Sequence, residues 1–224
     1  VSRQRLTAAA LLAGALAAAG CASTSDKSEE MQRLHARALY EQGIGHYARK
    51  EAAPALQSLR EAIALDGTVA AYHYWLGRLY LDLMRPDLAV PSLKRAIELD
   101  PQYADALMTL GTALDELGRP EEAVELYRKA IALPLLTTPH LAYHGLGLAL
   151  YHLKRYREAE EALRFAIGLE PRMAGAFYNL GLVFVAEQRT EDAKVAFRRA
   201  RDLAPQSPFG QAAVERLRAL GDGG

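Results

Sequence analysis

The sequence predicts an all-α solenoid built from stacked helix pairs, and three observations predict it. Glycines recur at Gly43, Gly77, Gly111, Gly147 and Gly181, at intervals of 34, 34, 36 and 34 residues. Alanines keep the same intervals in two further registers, Ala55, Ala89, Ala123, Ala159 and Ala193, and Ala62, Ala96, Ala130, Ala166 and Ala200. Prolines punctuate the chain in phase with them: Pro101 and Pro171 close "LDP" and "LEP" endings, while Pro86 and Pro120 sit where a second helix would start. Proline disfavours helix in the residue before it and does no harm at a first helical position, so the two sets read as helix ends and helix starts.

The registers divide the chain into units of 36–69, 70–103, 104–137, 140–173 and 174–207. Residues 29–35 extend the first helix backwards. Within each unit the eighth position is Gly and the twentieth is Ala, where the two helices of a pair cross and a side chain would hold them apart. Ala at the twenty-seventh position lets the second helix pack on the next unit. Leu76, Leu110, Leu146 and Leu180 fill the space between. Pro91 falls about a turn inside the second helix of its unit, which predicts a kink or a late start there. After the last unit, Phe209, Ala213, Leu217 and Leu220 share one face of an amphipathic helix, with Glu215, Arg216 and Arg218 facing away. Residues 208–220 therefore read as a cap over the exposed end of the core.

A 34-residue helix-turn-helix period is the signature of the tetratricopeptide repeat. The second unit, "AAYHYWLGRLYLDLMRPDLAVPSLKRAIELDPQY", shows it well. The resemblance implies a right-handed superhelix of about eleven helices: five repeats and a C-terminal cap. The one irregular interval falls in "ALPLLTTPHLAYHGLG", Ala132 to Gly147. Here two residues are inserted between the third and fourth repeats. Pro134 arrives early, the "LDP" ending is lost, and Thr138-Pro139 restarts the next helix. This predicts a changed superhelical pitch at the joint and exposed Leu135 and Leu136.

Residues 1–20 differ from the rest. Arg3 and Arg5 precede an apolar run from Leu6 to Ala19, followed by Gly20 and Cys21. That is the layout of an export signal, and the run is shorter than the roughly 20 apolar residues a membrane span needs. Val1 reads as an alternative start codon. "AAGC" resembles a bacterial lipobox, although Ala18 stands where Leu is usual. The resemblance implies cleavage before Cys21, a diacylglyceryl thioether on its sulfur and an acylated amino group, which anchor a protein stably through several buried chains. The other reading is an ordinary cleavage site with an incidental thiol. Ala22, not Asp, follows the cysteine, a pattern that in Gram-negative lipoproteins resembles sorting to the outer membrane with the body in the periplasm. Residues 21–28 then read as a lipidated cysteine and a short flexible tether.

Composition narrows the function. Lys+Arg and Asp+Glu both number 27, so no basic excess points to nucleic acid. The single cysteine excludes an internal disulfide and a cysteine-based zinc site. No Gly-rich phosphate loop and no nucleophile in a recognisable setting appear, so neither an enzyme, a cofactor nor a small-molecule substrate is expected. His140 and His144 stand one helical turn apart with His152 nearby, a spacing that binds zinc when Asp115 or Glu116 supplies a further ligand; surface histidines are the other reading, and no metal is assigned. Arg198, Arg199 and Arg201 form a small basic cluster, read as a solvated face, with contact to lipid headgroups as the other reading.

In repeats of this family positions 2, 5, 9 and 12 usually face a concave groove. The first repeat then contributes Arg37, Tyr40, Ile44 and Tyr47, and the second Ala71, Tyr74, Arg78 and Leu81. The third contributes Asp105, Met108, Thr112 and Asp115. The fourth adds Leu141, His144, Leu148 and Tyr151, and the fifth Gly175, Tyr178, Leu182 and Val185. An aromatic and aliphatic lining suits a protein partner; part of it being core within each repeat is the other reading. Basic groove residues are too few for the clamp that grips a C-terminal carboxylate.

With its lipobox and "TTPHLAYHGLG", followed one repeat later by "AFYNLGLVF", the chain resembles the type IV pilus biogenesis pilotins, the PilF/PilW/Tgl group. These tend to carry a "T-P-x-x-A-x-x-N-L-G" segment at the corresponding joint. The chain departs from them in having five repeats and a cap where six repeats are usual, and His144-Gly145 before Leu146-Gly147. The resemblance implies a non-enzymatic lipoprotein that binds a secretin subunit, carries it to the outer membrane and helps it multimerise. The alternative is a periplasmic scaffold lipoprotein that docks cell-wall enzymes.

Overall fold

A computed structural model describes residues 3–134 and 136–221, with side chains from Asp26 onward. Among these residues are eleven helices and no strand. They are α1 (Arg3–Ala48), α2 (Ala52–Leu65), α3 (Ala70–Asp82), α4 (Pro86–Leu99), α5 (Ala104–Glu116), α6 (Pro120–Ile131), α7 (Pro139–His152), α8 (Tyr156–Leu169), α9 (Ala174–Ala186), α10 (Thr190–Leu203) and α11 (Pro208–Ala219). Each odd helix from α1 to α9 pairs with the next, each pair packs on its neighbours, and α11 packs on α10 and α9.

The pairing follows from the small residues. All ten alanines of the two registers are fully buried. The eighth-position glycines meet one residue of the partner helix that the sequence reading did not single out, at position 24. A Cβ on Gly77 would stand 2.6 Å from Leu93 Cγ; on Gly147, 2.6 Å from Leu163 Cγ; on Gly181, 2.6 Å from Phe197 Cε1. Gly43 faces Leu59 and Gly111 faces Tyr127 in the same way, both at 3.0 Å. The five residues Leu59, Leu93, Tyr127, Leu163 and Phe197 are themselves buried, so each glycine is the socket for a large side chain.

The turn inside each pair is also one device used five times. Lys50, Met84, Gly118, Lys154 and Gln188, at the same repeat position, all have φ between 57° and 73°. The next residue's N–H reaches back across the turn, as in Arg85 N–H to Tyr80 O at 2.9 Å and Arg155 N–H to Leu150 O at 2.9 Å, which closes the helix end in a Schellman arrangement. Only Gly118 suits the left-handed backbone without steric cost. Lys154→Gly is therefore expected to raise the unfolding free energy by about 1 kcal/mol, and Gly118→Ala to lower it by about as much, both read from urea denaturation.

Four local expectations need correction. Residues 22–28 do not form an irregular tether: α1 runs through them, and no Gly or Pro stands between Gly20 and Gly43 to stop it. Of the kink or late start expected at Pro91, the late start does not occur, since α4 begins at Pro86 and runs through Pro91. At the joint, α6 ends early at Ile131 and α7 begins at Pro139, but Leu136 is not exposed; with Leu133 it packs against the core. Leu135 lies outside the described residues. Leu133 and Leu136 fold back over the core because apolar side chains gain more by covering it than by facing water. Thr138, the residue before α7, buries its Oγ1 without a hydrogen-bond partner. On the cap, Ala213 and Leu217 are buried as expected, whereas Phe209 is 40% exposed and turns elsewhere.

Candidate protein-binding groove

The concave side between α3, α5 and α7 holds an open cavity of about 710 Å³. Of the residues expected to line a groove, the structure brings Tyr74, Arg78 and Leu81 together with Asp105, Met108, Thr112 and Asp115, and with Leu141, His144 and Leu148. Asp82, Met84, Thr109, Glu116, Tyr127, Gly145 and His152 complete the lining. Tyr74 and Met108 are buried and act as floor, so they are not free to grip a partner. Tyr74 packs edge-on against Trp75, with centroids 5.4 Å apart, and against Tyr103 at 4.9 Å. Met84, 77% exposed, Leu141, 46% exposed, and half-buried Leu81 and Leu148 are the apolar groups presented at the surface of the groove.

The two outer repeats do not share this cavity. In the first, Tyr40 stacks on Tyr72 with centroids 4.8 Å apart, Ile44 packs on the core, and the Tyr47 hydroxyl donates to Asp82 while its ring meets Trp75. In the fifth, Phe209 from the cap lies over Gly175, where a Cβ would meet its ring at 3.0 Å, and its centroid is 5.9 Å from that of Tyr178. Leu182 packs against the core, and so does Tyr151 of the fourth repeat, beside Tyr156. Long-range contacts from α3 and α11 set these boundaries, and position within a repeat carries no trace of them.

Tyr127 shapes the floor. Its ring is wedged between Gly111 and Gly145, and a Cβ on Gly145 would stand 2.4 Å from it. Its hydroxyl shares a 2.9 Å hydrogen bond with Thr112 Oγ1. Burial pushes the phenol up to about 12, so it keeps its proton. The glycine that departs from the pilotin-like pattern thus answers the one tyrosine in the position-24 series.

The histidines do not converge on a metal. His152 Nδ1 lies 2.8 Å from Asp115 Oδ1, whereas His144 Nε2 accepts from Asn179 Nδ2 at 2.8 Å. Among the described residues no group of three His, Cys, Asp or Glu side chains could hold a metal ion. Burial lowers the pKa of His144 against a smaller opposing hydrogen bond to the Gly175 backbone. The folded pKa then lies below the ordinary value of about 6.5, and the unfolded chain takes the proton more readily. Its contribution to stability is complete above about pH 6.5 and is lost as pH falls towards the folded pKa. The melting temperature is therefore expected to decline as pH is lowered from 6.5, and His144→Gln should flatten that part of the profile.

Stacked helix pairs with one socketed glycine per pair, closed by a cap and open along a concave groove, define a tetratricopeptide solenoid. The chain belongs to the tetratricopeptide repeat family, whose pattern it matches over residues 74–134 and 144–208, more than half its length. No curated protein matches it significantly. Among solved structures it is similar to MamA, at 24% identity and a TM-score of 0.66 over 77% of this chain and 93% of that one. It is also similar to PilW, described as a widely conserved type IV pilus biogenesis factor, at 19% identity and 0.70 over 82% and 92%. A third is YrrB, described as a tetratricopeptide protein with an unusual peptide-binding site, at 23% identity and 0.65 over 85% and 97%. Likenesses at these identities establish the fold alone. Among the described residues no helix is long and apolar enough to cross a membrane.

Proposed function

We propose that the protein is a non-enzymatic, lipid-anchored pilotin at the outer membrane, facing the periplasm, which binds a secretin subunit and assists its targeting and multimerisation. The observation that carries this reading is an open groove on the middle repeats of a chain that begins with an export-signal pattern ending at its lone Cys21. Similarity to PilW supports the pilus setting, and Thr138-Pro139 at the start of α7 is the joint the pilotin resemblance singles out. The lipid on Cys21 would hold the body at the membrane, and the groove would take a segment of the secretin. A deletion strain is the test: detergent-resistant secretin multimers and twitching motility should both be lost, and normal multimers would contradict the reading. Cys21→Ala should leave the protein unprocessed by signal peptidase II and change its membrane partitioning; unchanged partitioning would contradict the anchor.

The second reading, a periplasmic scaffold docking cell-wall enzymes, draws on the repeat number. Five helix pairs and a cap span the described chain, where pilotins usually have six repeats. A deletion strain with intact secretin multimers but altered cell-wall enzyme recruitment would select it.

A further inference from the structure

We propose that the groove takes an extended segment of its protein partner that carries lysine or arginine among aliphatic residues. This rests on reading the groove as the partner site and adds the chemistry of what it selects. Four carboxylates, Asp82, Asp105, Asp115 and Glu116, line the cavity against one guanidinium, Arg78. Arg78 is already paired with Asp82 at 3.5 Å, and Asp115 with His152 at 2.8 Å. Asp105 and Glu116 have no ion-pair or hydrogen-bond partner among the described residues. A cation brought into the groove meets unmatched negative charge, and an acidic segment is repelled.

A second observation concerns the backbone of the guest. Thr109, only 8% exposed, lines the same cavity, and its hydroxyl has no partner among the described residues. Unlike Thr138 Oγ1 this hydroxyl is not sealed from solvent, so it stands free to donate to or accept from the guest. Extended chains present free amides, whereas a helix has used its own. Thr109 stands one turn from Asp105 on α5, with Leu141 and Leu148 across the groove to meet aliphatic side chains. At about 1.5 Å per residue, Asp105 and Glu116 are roughly 16 Å apart along α5. Extended chain covers that distance in about five residues, which sets the expected spacing of two cationic positions.

The carboxyl of Glu116 is consistent with this assignment. Burial first, and the neighbouring Asp115 charge second, hold it above the usual carboxylate range. A cation seated beside it relieves both effects.

The test is selection of a phage-displayed random twelve-residue library on the full chain, with the selected peptides then measured by fluorescence anisotropy. The expected result is enrichment of lysine and arginine, commonly in pairs about five residues apart. Binding should weaken at least tenfold with D105N/E116Q and fall as salt rises. Peptides lost on Leu148→Gln yet not enriched in basic residues would overturn the cationic preference and leave the groove as the partner site. Peptides that bind Leu148→Gln as well as the parent, or no selection at all, would overturn both.

Discussion

Gly210→Ala is expected to detach the cap from the solenoid. A Cβ at this position would stand 2.0 Å from the Ala204 carbonyl oxygen and 3.0 Å from Pro205 Cα, both backbone atoms that no rotamer change can move. The same carbonyl accepts from the Ser207 hydroxyl at 2.8 Å and from the Ser207 N–H at 3.0 Å, and Ser207 Oγ in turn accepts from Gly210 N–H at 3.1 Å. The added methyl therefore breaks the N-terminal cap of α11 together with the turn that leads into it. Without α11, Gly175 and half-buried Tyr178 at the end of the fifth repeat lose the cover of Phe209, and terminal caps are what keep repeat arrays soluble. A loss of at least about 3 kcal/mol is expected, at the upper end for overpacking because the obstruction is main chain. Hydrogen exchange should show α11 amides opening before the rest. An unchanged melting temperature with protected α11 amides would contradict the account.

Gly145→Ala is expected to cost about 2–3 kcal/mol, and the cost should largely vanish in a Tyr127→Leu background. The new methyl would stand 2.4 Å from two carbons of the Tyr127 ring and 2.7 Å from its hydroxyl. That ring cannot retreat, because Gly111 and Thr112 hold its other side. Leucine already occupies the equivalent position in three of the five pairs, as Leu59, Leu93 and Leu163, so the double variant keeps a packed core. Thermal unfolding of the four proteins in the cycle gives the coupling directly. Additive effects would mean that Gly145 serves some purpose other than making room for Tyr127.

Both positions show what a sequence reading reaches and where it stops. The eighth-position glycines and the two alanine registers were legible because contact between helices demands small residues in every pair, and identity repeats with the period. Their partners at position 24 were not, because Leu, Tyr and Phe all fill the socket and no single residue type recurs. The Gly145–Tyr127 pair occurs once, across a repeat boundary, and has no periodic counterpart. Helix continuity through residues 22–28 escapes a reading that takes small polar residues as a tether although no Gly or Pro interrupts them, and Pro91 reads as a kink or late start although its helix runs on around it. For the groove, position within the repeat placed the lining of the three middle pairs. It could not foresee that Phe209 would cover Tyr178, or that Tyr47 would be committed to Asp82, since both contacts join segments about thirty residues apart. Tyr74 shows a further limit: its position marks the groove side, yet packing against Trp75 and Tyr103 makes it floor.

Site-specific photocrosslinking in living cells tests the groove most directly. A benzoylphenylalanine in place of Leu148 lies in the concave cavity, and one in place of Val195, 62% exposed on α10, lies outside it. The account predicts a secretin-sized adduct from position 148 and none from position 195. An adduct from position 195 alone would contradict it and move the partner to another face of the solenoid.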